Sequence, residues 1–173
     1  MKNAIKMAAE LMAISARTAP KTAGRDYVEI KIVEGEQLTA LGKEMAAYGR
    51  EKGKVNYDRD GKNVEDSAAV LLVSLKEAKT AGLNCGACGY PECAKLPALS
   101  EGPEFAGPLC AWRLVDLGIA VGSAVKTASI LNVDNRIMYR IGVVARKMGL
   151  IEGEVVLGIP LSASGKNIYF DRK

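Results

Sequence analysis

The sequence predicts an α+β fold in which helices flank a central sheet. A nearly continuous apolar run at 68–75 is typical of a strand that is buried on both faces. Apolar residues recur at helical spacing over 4–16 and again over 37–51, which predicts two amphipathic helices. A chain of 173 residues with 49% hydrophobic residues is long enough for one domain with a core, or for one domain that carries a small insert.

The first half of the chain predicts a helix, a loop, a strand, a helix and a second loop. After the helix at 4–16, the breaker-rich and basic residues 17–26 predict a loop. Residues 27–33 alternate between apolar and polar side chains, which indicates a strand. The helix at 37–51 follows, and the charged residues 51–66 then predict a loop because they are rich in turn formers.

The second half of the chain begins with a cysteine-containing segment at 82–112. The elements expected after it are a buried helix at 115–130, a helix at 134–148, a strand at 154–160 and a short edge strand at 167–172. Asp134 is expected to cap the second of these helices, and Gly149 is expected to end it.

Composition excludes several classes of function. The net charge is only +4, and no run of Lys and Arg interleaves with aromatic residues, so nucleic acid is not an expected partner. The longest apolar run is far shorter than the roughly 18 residues of a membrane span. Glu10 interrupts the apolar N-terminal stretch, which does not fit a secretory signal, so we expect a cytoplasmic protein. Histidine is absent, which excludes Ser-His and Cys-His catalytic pairs.

All four cysteines of the chain lie between residues 85 and 110. Cys85, Cys88, Cys93 and Cys110 are spaced C-x2-C-x4-C-x16-C, and four thiolates gathered in this way suit an iron–sulfur cluster. In a reducing compartment such a group indicates metal binding rather than disulfides. We therefore expect a metal-binding insert at 84–110 within a core formed by 1–83 and 111–173.

A structural zinc site made of the same four cysteines is the main alternative. Zinc ribbons usually use two C-x2-C pairs, and here only Cys85 and Cys88 form one. Trp112, two residues after Cys110, would either shield the metal site from solvent or serve as an ordinary core residue. The residues alone leave both questions open.

The cysteine segment resembles a known module. Its Cys-Gly-Ala-Cys-Gly-Tyr-Pro-Glu-Cys run at 85–93, with Cys110, is similar to the four-cysteine module of the B subunit of Rnf-type electron-transport complexes and of corrinoid iron–sulfur proteins. That resemblance covers about 84–110 and implies a [4Fe–4S] cluster and electron transfer.

The remainder of the chain resembles the FMN-dependent nitroreductases. Residues 8–36, with an Ala-Pro loop at 19–24, are similar to the first helix, loop and strand of that family. Residues 116–130 resemble its long buried helix, and the Gly-Ile-Pro segment at 158–160 resembles a late segment of its chain. This likeness implies a mixed sheet with helices on both faces and a homodimer with a flavin site at the dimer interface.

The same likeness implies contacts to FMN. The Arg-x-Ser-x-Arg segment with which nitroreductases grip the FMN phosphate is absent here, so other cations would have to replace it. The candidate flavin contacts are Arg17, Lys21, Thr22, Arg25, Gly158 and Arg172. The alternative is that the basic residues among them form a solvated loop and tail.

The whole chain resembles a group of uncharacterised prokaryotic proteins containing a ferredoxin domain. We therefore expect an iron–sulfur redox protein that exchanges single electrons with a redox partner protein and relays them to a flavin if one is bound. If the protein is an enzyme, it would be a flavin-dependent oxidoreductase. The alternative is a non-enzymatic interaction protein in which zinc only staples the cysteine segment.

Overall fold

The computed structural model describes residues 1–170, in which one main sheet lies between two layers of helices. The helices are α1 (Lys2–Thr18), α2 (Gly35–Lys52), α3 (Tyr57–Glu65), α4 (Ala111–Ile130) and α5 (Tyr139–Lys147). The strands are β1 (Val28–Val33), β2 (Ala69–Leu75), β3 (Ser100–Glu101), β4 (Ala106–Gly107), β5 (Asp134–Asn135) and β6 (Val155–Ser162).

The main sheet has the strand order β1-β2-β6-β5, and β3 pairs with β4 in a separate small hairpin. Every residue of β2 is buried, as its apolar run predicted. All strand pairs within residues 1–170 are antiparallel, so the mixed sheet implied by the nitroreductase likeness is corrected on this point. Burial of β2 on both faces therefore comes from the two helix layers and not from parallel connections.

Two cores lie on opposite faces of the sheet. Helices α2, α3 and α5 pack on one face, and α1 and α4 pack on the other. Packing of α5 on β6 is close because Gly142 has no side chain: a Cβ at this position would lie 1.8 Å from the Val156 carbonyl oxygen. Gly158 of β6 lies on the same face, where its missing side chain admits Ile141.

Helix α4 was predicted to be buried, and only one side of it is. Leu117, Ala120 and Ala124 are buried against the sheet, whereas Val115 and Ile119 are exposed. Adjoining α1 also exposes large apolar side chains, which are Met7, Leu11 and Ile14. No helix in the described part of the chain is both long and apolar enough to span a membrane.

The loop predicted at 51–66 is wrong, because α3 occupies most of it. The face that α3 buries combines Tyr57 and Val64 with Asp60 and Gly61. Asp60 is buried because Arg140 of α5 donates a hydrogen bond to its Oδ2 at 2.9 Å. A buried face in which Asp60 and Gly61 replace apolar side chains does not produce a helical hydrophobic period, which explains the wrong prediction.

The helix predicted at 134–148 begins later than expected. Asp134 pairs with Ser162 as part of β5, so it is not a helix cap, and Met138 forms an isolated bridge with Gly158. Hydrogen bonding to β6 therefore keeps Asp134 and Met138 in an extended conformation, and the helix begins only after them. Gly149 does follow the end of α5 and has the left-handed φ of 66° that a helix stop requires.

Between the cysteine loop and α4 the chain forms a short 3-10 helix at Cys93–Lys95 and the β3–β4 hairpin. The edge strand predicted at 167–172 is not present in its described part, where residues 168–170 form a turn. Its last residues lie outside the described part of the chain.

Candidate metal centre

The four cysteines line one cavity beside the N-terminus of α4. Cys85 is exposed, and Cys88 and Cys93 are half-buried on a loop at the surface. Cys110 is 6% exposed and is the residue that immediately precedes α4. The fold therefore joins three thiols on a surface loop to a fourth on a packed helix end.

Backbone geometry of the loop depends on residues with left-handed φ values. Gly86 and Gly89 have φ values of 74° and 88°, and the Gly89 N–H donates to the Gly86 carbonyl at 2.9 Å. Asn84, with a φ of 48°, closes the loop through Cys93. The Cys93 N–H donates to Asn84 Oδ1 at 2.8 Å, and the Asn84 N–H donates to Cys93 Sγ at 3.4 Å.

A tryptophan side chain donates a hydrogen bond to one of the thiols. The Trp112 Nε1–H lies 3.1 Å from Cys85 Sγ, and Trp112 is 39% exposed, so it is not an ordinary core residue. The backbone N–H of Ala87, and after it Trp112, lowers the pKa of the Cys85 thiol below its ordinary value. A lowered thiol pKa favours the thiolate, which is the form that binds metal.

The space between the sulfurs is narrow. Its volume is about 10 Å³, which is room for about one water molecule. No three or more His, Cys, Asp or Glu side chains within residues 1–170 are arranged around one point as a single metal ion requires. The donor set fits an iron–sulfur cluster in number and chemistry, since each iron takes one cysteine sulfur.

The hairpin that follows the loop anchors the segment to the α2–α3 side of the sheet. The Ala106 N–H donates to the Glu154 carbonyl at 2.9 Å. Glu104 accepts a hydrogen bond from the Tyr57 hydroxyl at 2.9 Å and pairs with Lys54. Burial of Glu104 acts to raise its pKa, but the hydrogen bonds from Lys54 and Tyr57 outweigh burial, so the pKa lies below its ordinary value.

Glu104→Gln should therefore lower the free energy of unfolding by about 1–2 kcal/mol at pH 7. A carboxyl with a lowered pKa in the folded state stabilises the protein above its unfolded pKa of about 4.3, and this stabilisation is lost as the pH falls through the folded pKa. Urea unfolding at pH 7 and pH 3 should show a difference between wild type and variant that shrinks in acid.

Glu101→Gln is the matched control, because Glu101 lies in the same hairpin and pairs with Arg146 but is exposed. Solvent screens an exposed ion pair, so this variant should remain close to wild type in stability. Equal losses in the two variants would contradict the anchoring role of Glu104.

The predicted flavin contacts Arg17 and Lys21 lie close together but are engaged with the chain itself. Arg17 belongs to the last turn of α1, so the loop predicted from residue 17 begins only after Thr18 and contains Lys21. Arg17 donates to Asp26 at 2.8 Å and to the Val28 carbonyl at 2.6 Å. Lys21 donates to backbone carbonyls at the end of α1, including that of Ala19 at 2.6 Å. Both cations thus hold the loop in place in this structure.

Of the other predicted flavin contacts, Thr22 and Arg25 lie in the same loop as Lys21, and Gly158 does not. Thr22 donates its hydroxyl to Asp116 at 2.7 Å, and Arg25 is exposed near it. Gly158 packs under α5 on the opposite face of the sheet, so the structure does not bring it to the loop. Arg172 lies outside the described residues. The flavin contacts stay a prediction.

Sequence reasoning missed a buried ion pair beside the centre. Arg113 and Asp116, both in the first turns of α4, are buried and joined at 3.0 Å. The signal in the sequence is two opposite charges at i and i+3 within a mostly apolar helix.

Comparison with known proteins gives a family and a fold. The family model of uncharacterized proteins containing a ferredoxin domain matches residues 106–172. An uncharacterized protein from Archaeoglobus fulgidus is 48% identical over 169 residues, which cover 97% of this chain and 91% of the relative.

Solved structures with a similar fold are nitroreductases. One, with bound FMN, from Desulfitobacterium hafniense, has a TM-score of 0.59 at 14% identity and covers 92% of this chain and 78% of its own. An FMN-dependent nitroreductase from Mycobacterium smegmatis in complex with NADPH has a TM-score of 0.61 at 9% identity, with coverages of 92% and 78%. The prediction of a nitroreductase-like α+β fold is confirmed.

Proposed function

The chain belongs to the family of uncharacterised proteins containing a ferredoxin domain, and we propose that it is an iron–sulfur redox protein. In this proposal residues 84–110 form the metal-binding module, and 1–83 and 111–173 form its scaffold. One [4Fe–4S] cluster is bound by Cys85, Cys88, Cys93 and Cys110. The observation that carries the proposal is that all four cysteines of the chain line one cavity.

When bound, the cluster supplies one-electron oxidation and reduction. Two N–H groups of the protein stabilise negative charge on the sulfurs by hydrogen bonding. The Trp112 side chain donates to Cys85, and the Asn84 backbone donates to Cys93. The N-terminus of α4, which follows Cys110, adds the positive end of a helix dipole. Exposure of Cys85 leaves one side of the centre open to a redox partner protein.

A structural zinc site is the second candidate, and one observation favours it while another opposes it. The small cavity suits a single ion. Against it, zinc requires four sulfurs at about 2.3 Å from one point, and the side chains of residues 1–170 do not form such a group. Family membership and the cysteine spacing favour the cluster, and metal analysis decides between the two.

We also propose that the scaffold binds FMN, which would receive electrons from the cluster one at a time. Support comes from the fold shared with nitroreductases that contain FMN. With a flavin present, the protein would be a flavin-dependent oxidoreductase.

The proposed homodimer is supported by the apolar side chains that α1 and α4 leave exposed, among them Leu11 and Ile119.

Anaerobic reconstitution with iron and sulfide tests the cluster. Wild-type protein should become brown, absorb near 400 nm, contain about four irons per chain and give an EPR signal on reduction. Cys88→Ser should lose most of this iron because one of the four ligands is missing. A yellow supernatant after denaturation of the native protein would reveal flavin.

The contrary result is equally concrete. Protein prepared without air that is colourless, holds one zinc per chain and takes up no cluster would support the structural zinc site and refute the proposal. An undiminished iron content in Cys88→Ser would also refute the proposal, because Cys88 would then not be a ligand.

A further inference from the structure

Arg113 is completely buried at the point where the cysteine segment joins the scaffold. Arginine is almost never fully buried unless it is paired. It lies three residues after Cys110 and directly after Trp112. Its guanidinium lies over the ring of Tyr27 at 4.7 Å from the centroid. The chain therefore pays a large desolvation cost at a position next to the proposed ligands.

The guanidinium bonds to the backbone that enters the cysteine loop. Its Nε donates to the Lys79 carbonyl at 2.8 Å. Lys79 belongs to residues 76–84, which run from the end of β2 to Cys85. Because Arg113 itself stands on the helix that Cys110 precedes, this one bond links the chain that enters the cysteine loop to the chain that leaves it.

A second set of bonds fixes the guanidinium to the loop between α1 and β1. Arg113 Nη1 donates to the Thr22 carbonyl at 2.9 Å and to Asp116 Oδ2 at 3.0 Å. The other oxygen of Asp116 accepts the Thr22 N–H and hydroxyl, each at 2.7 Å. The side chain therefore cannot move without breaking several buried hydrogen bonds.

Stability alone is a weak reason for such a pair. Replacing a buried ion pair with apolar side chains is often neutral or stabilising, because the charges lose their hydration. One of the Arg113 donors, Nη2, has no hydrogen-bond partner in the structure, which adds to the cost. The planar guanidinium of arginine can hold several carbonyl groups at fixed positions relative to one another, and an apolar residue cannot.

We propose that Arg113 is a positioning residue for the metal centre, which sets the placement of the segment entering Cys85 relative to Cys110. The inference rests on the proposed function, since it concerns the ligands of the cluster. Groups that orient metal ligands without touching the metal typically change metal affinity by about 10–100-fold when they are removed.

Arg113→Lys tests this, because lysine keeps the charge and loses the fork. The matched control is Arg136→Lys: Arg136 also bonds a carbonyl, that of Tyr169 at 3.1 Å, and lies over the Phe170 ring, but it is remote from the cysteines. Iron release from the reconstituted protein to a chelator is followed under anaerobic conditions, together with circular dichroism and the EPR line shape.

We expect Arg113→Lys to remain folded, release iron about 10–100-fold faster than wild type and show an altered EPR line shape. Arg136→Lys should match wild type in both. Wild-type release and line shape in Arg113→Lys would overturn the inference while the cluster itself stands. A wild-type protein that takes up no cluster would overturn the proposed function instead.

If Arg113→Lys does not fold, Asp116→Asn decides the question. Asparagine keeps the shape of Asp116 but removes the charge that holds Nη1, so faster iron release is again expected from folded protein. A release rate equal to that of wild type in this variant would overturn the inference.

Discussion

Gly142→Ala is expected to lower the free energy of unfolding by about 3 kcal/mol or to prevent folding. The added methyl group would lie 1.8 Å from the Val156 carbonyl oxygen and 2.3 Å from the carbonyl carbon. Val156 belongs to β6, an inner strand paired with both β2 and β5, so its backbone has little freedom to move. The helix preference for alanine contributes only about 1 kcal/mol in the opposite direction.

Gly122→Ala serves as the control, since Gly122 also lies within a helix but a Cβ there meets nothing within 4 Å. This variant should gain about 0.5–1 kcal/mol from helix propensity. Urea unfolding followed by circular dichroism measures both. If Gly142→Ala proved as stable as Gly122→Ala, the close contact between α5 and β6 would be wrong.

Trp112→Phe is expected to lower the reduction potential of the reconstituted centre by on the order of 60 mV, which is tenfold in a one-electron equilibrium. The indole N–H at 3.1 Å from Cys85 Sγ stabilises negative charge on that sulfur. The reduced centre carries one more electron than the oxidised centre, so the hydrogen bond favours the reduced state. Phenylalanine keeps an aromatic ring but has no donor, and the potential falls.

Tyr90→Phe is a suitable control because Tyr90 lines the same cavity and keeps its ring in the variant. Anaerobic potentiometric titration monitored by EPR should give the wild-type potential for Tyr90→Phe. A wild-type potential in Trp112→Phe, or a fall of equal size in both variants, would show that Trp112 does not tune the centre through its N–H.

Elements whose packing produces a simple hydrophobic pattern could be predicted from the sequence. The run at 68–75 became the buried strand β2, and the helical spacing at 4–16 became part of α1. Helix α3 could not be found in this way, because Asp60 and Gly61 occupy its buried face. Gly61 allows α2 and α3 to pack closely, since a Cβ would lie 2.5 Å from the Gly42 carbonyl oxygen. Asp60 accepts a hydrogen bond from Arg140.

The candidate site could likewise be predicted only in part. Cysteine spacing alone predicted that four thiols would meet, and in the structure they line one cavity. The role of Arg113 depends on carbonyls of Thr22 and Lys79, which are far away in sequence and carry no side-chain signal. The face of the sheet on which Gly158 lies is set by the register of β6 against β2, which local sequence does not encode.

The four thiols differ in their access to solvent, and this has a consequence for damage by oxygen. Cys85 is exposed, whereas Cys110 is buried where α4 begins. An oxidant from solution would therefore modify Cys85 before it reached Cys110. Because the surface loop would supply three of the four ligands, oxidation of that loop alone would be enough to destroy metal binding while Cys110 stayed reduced.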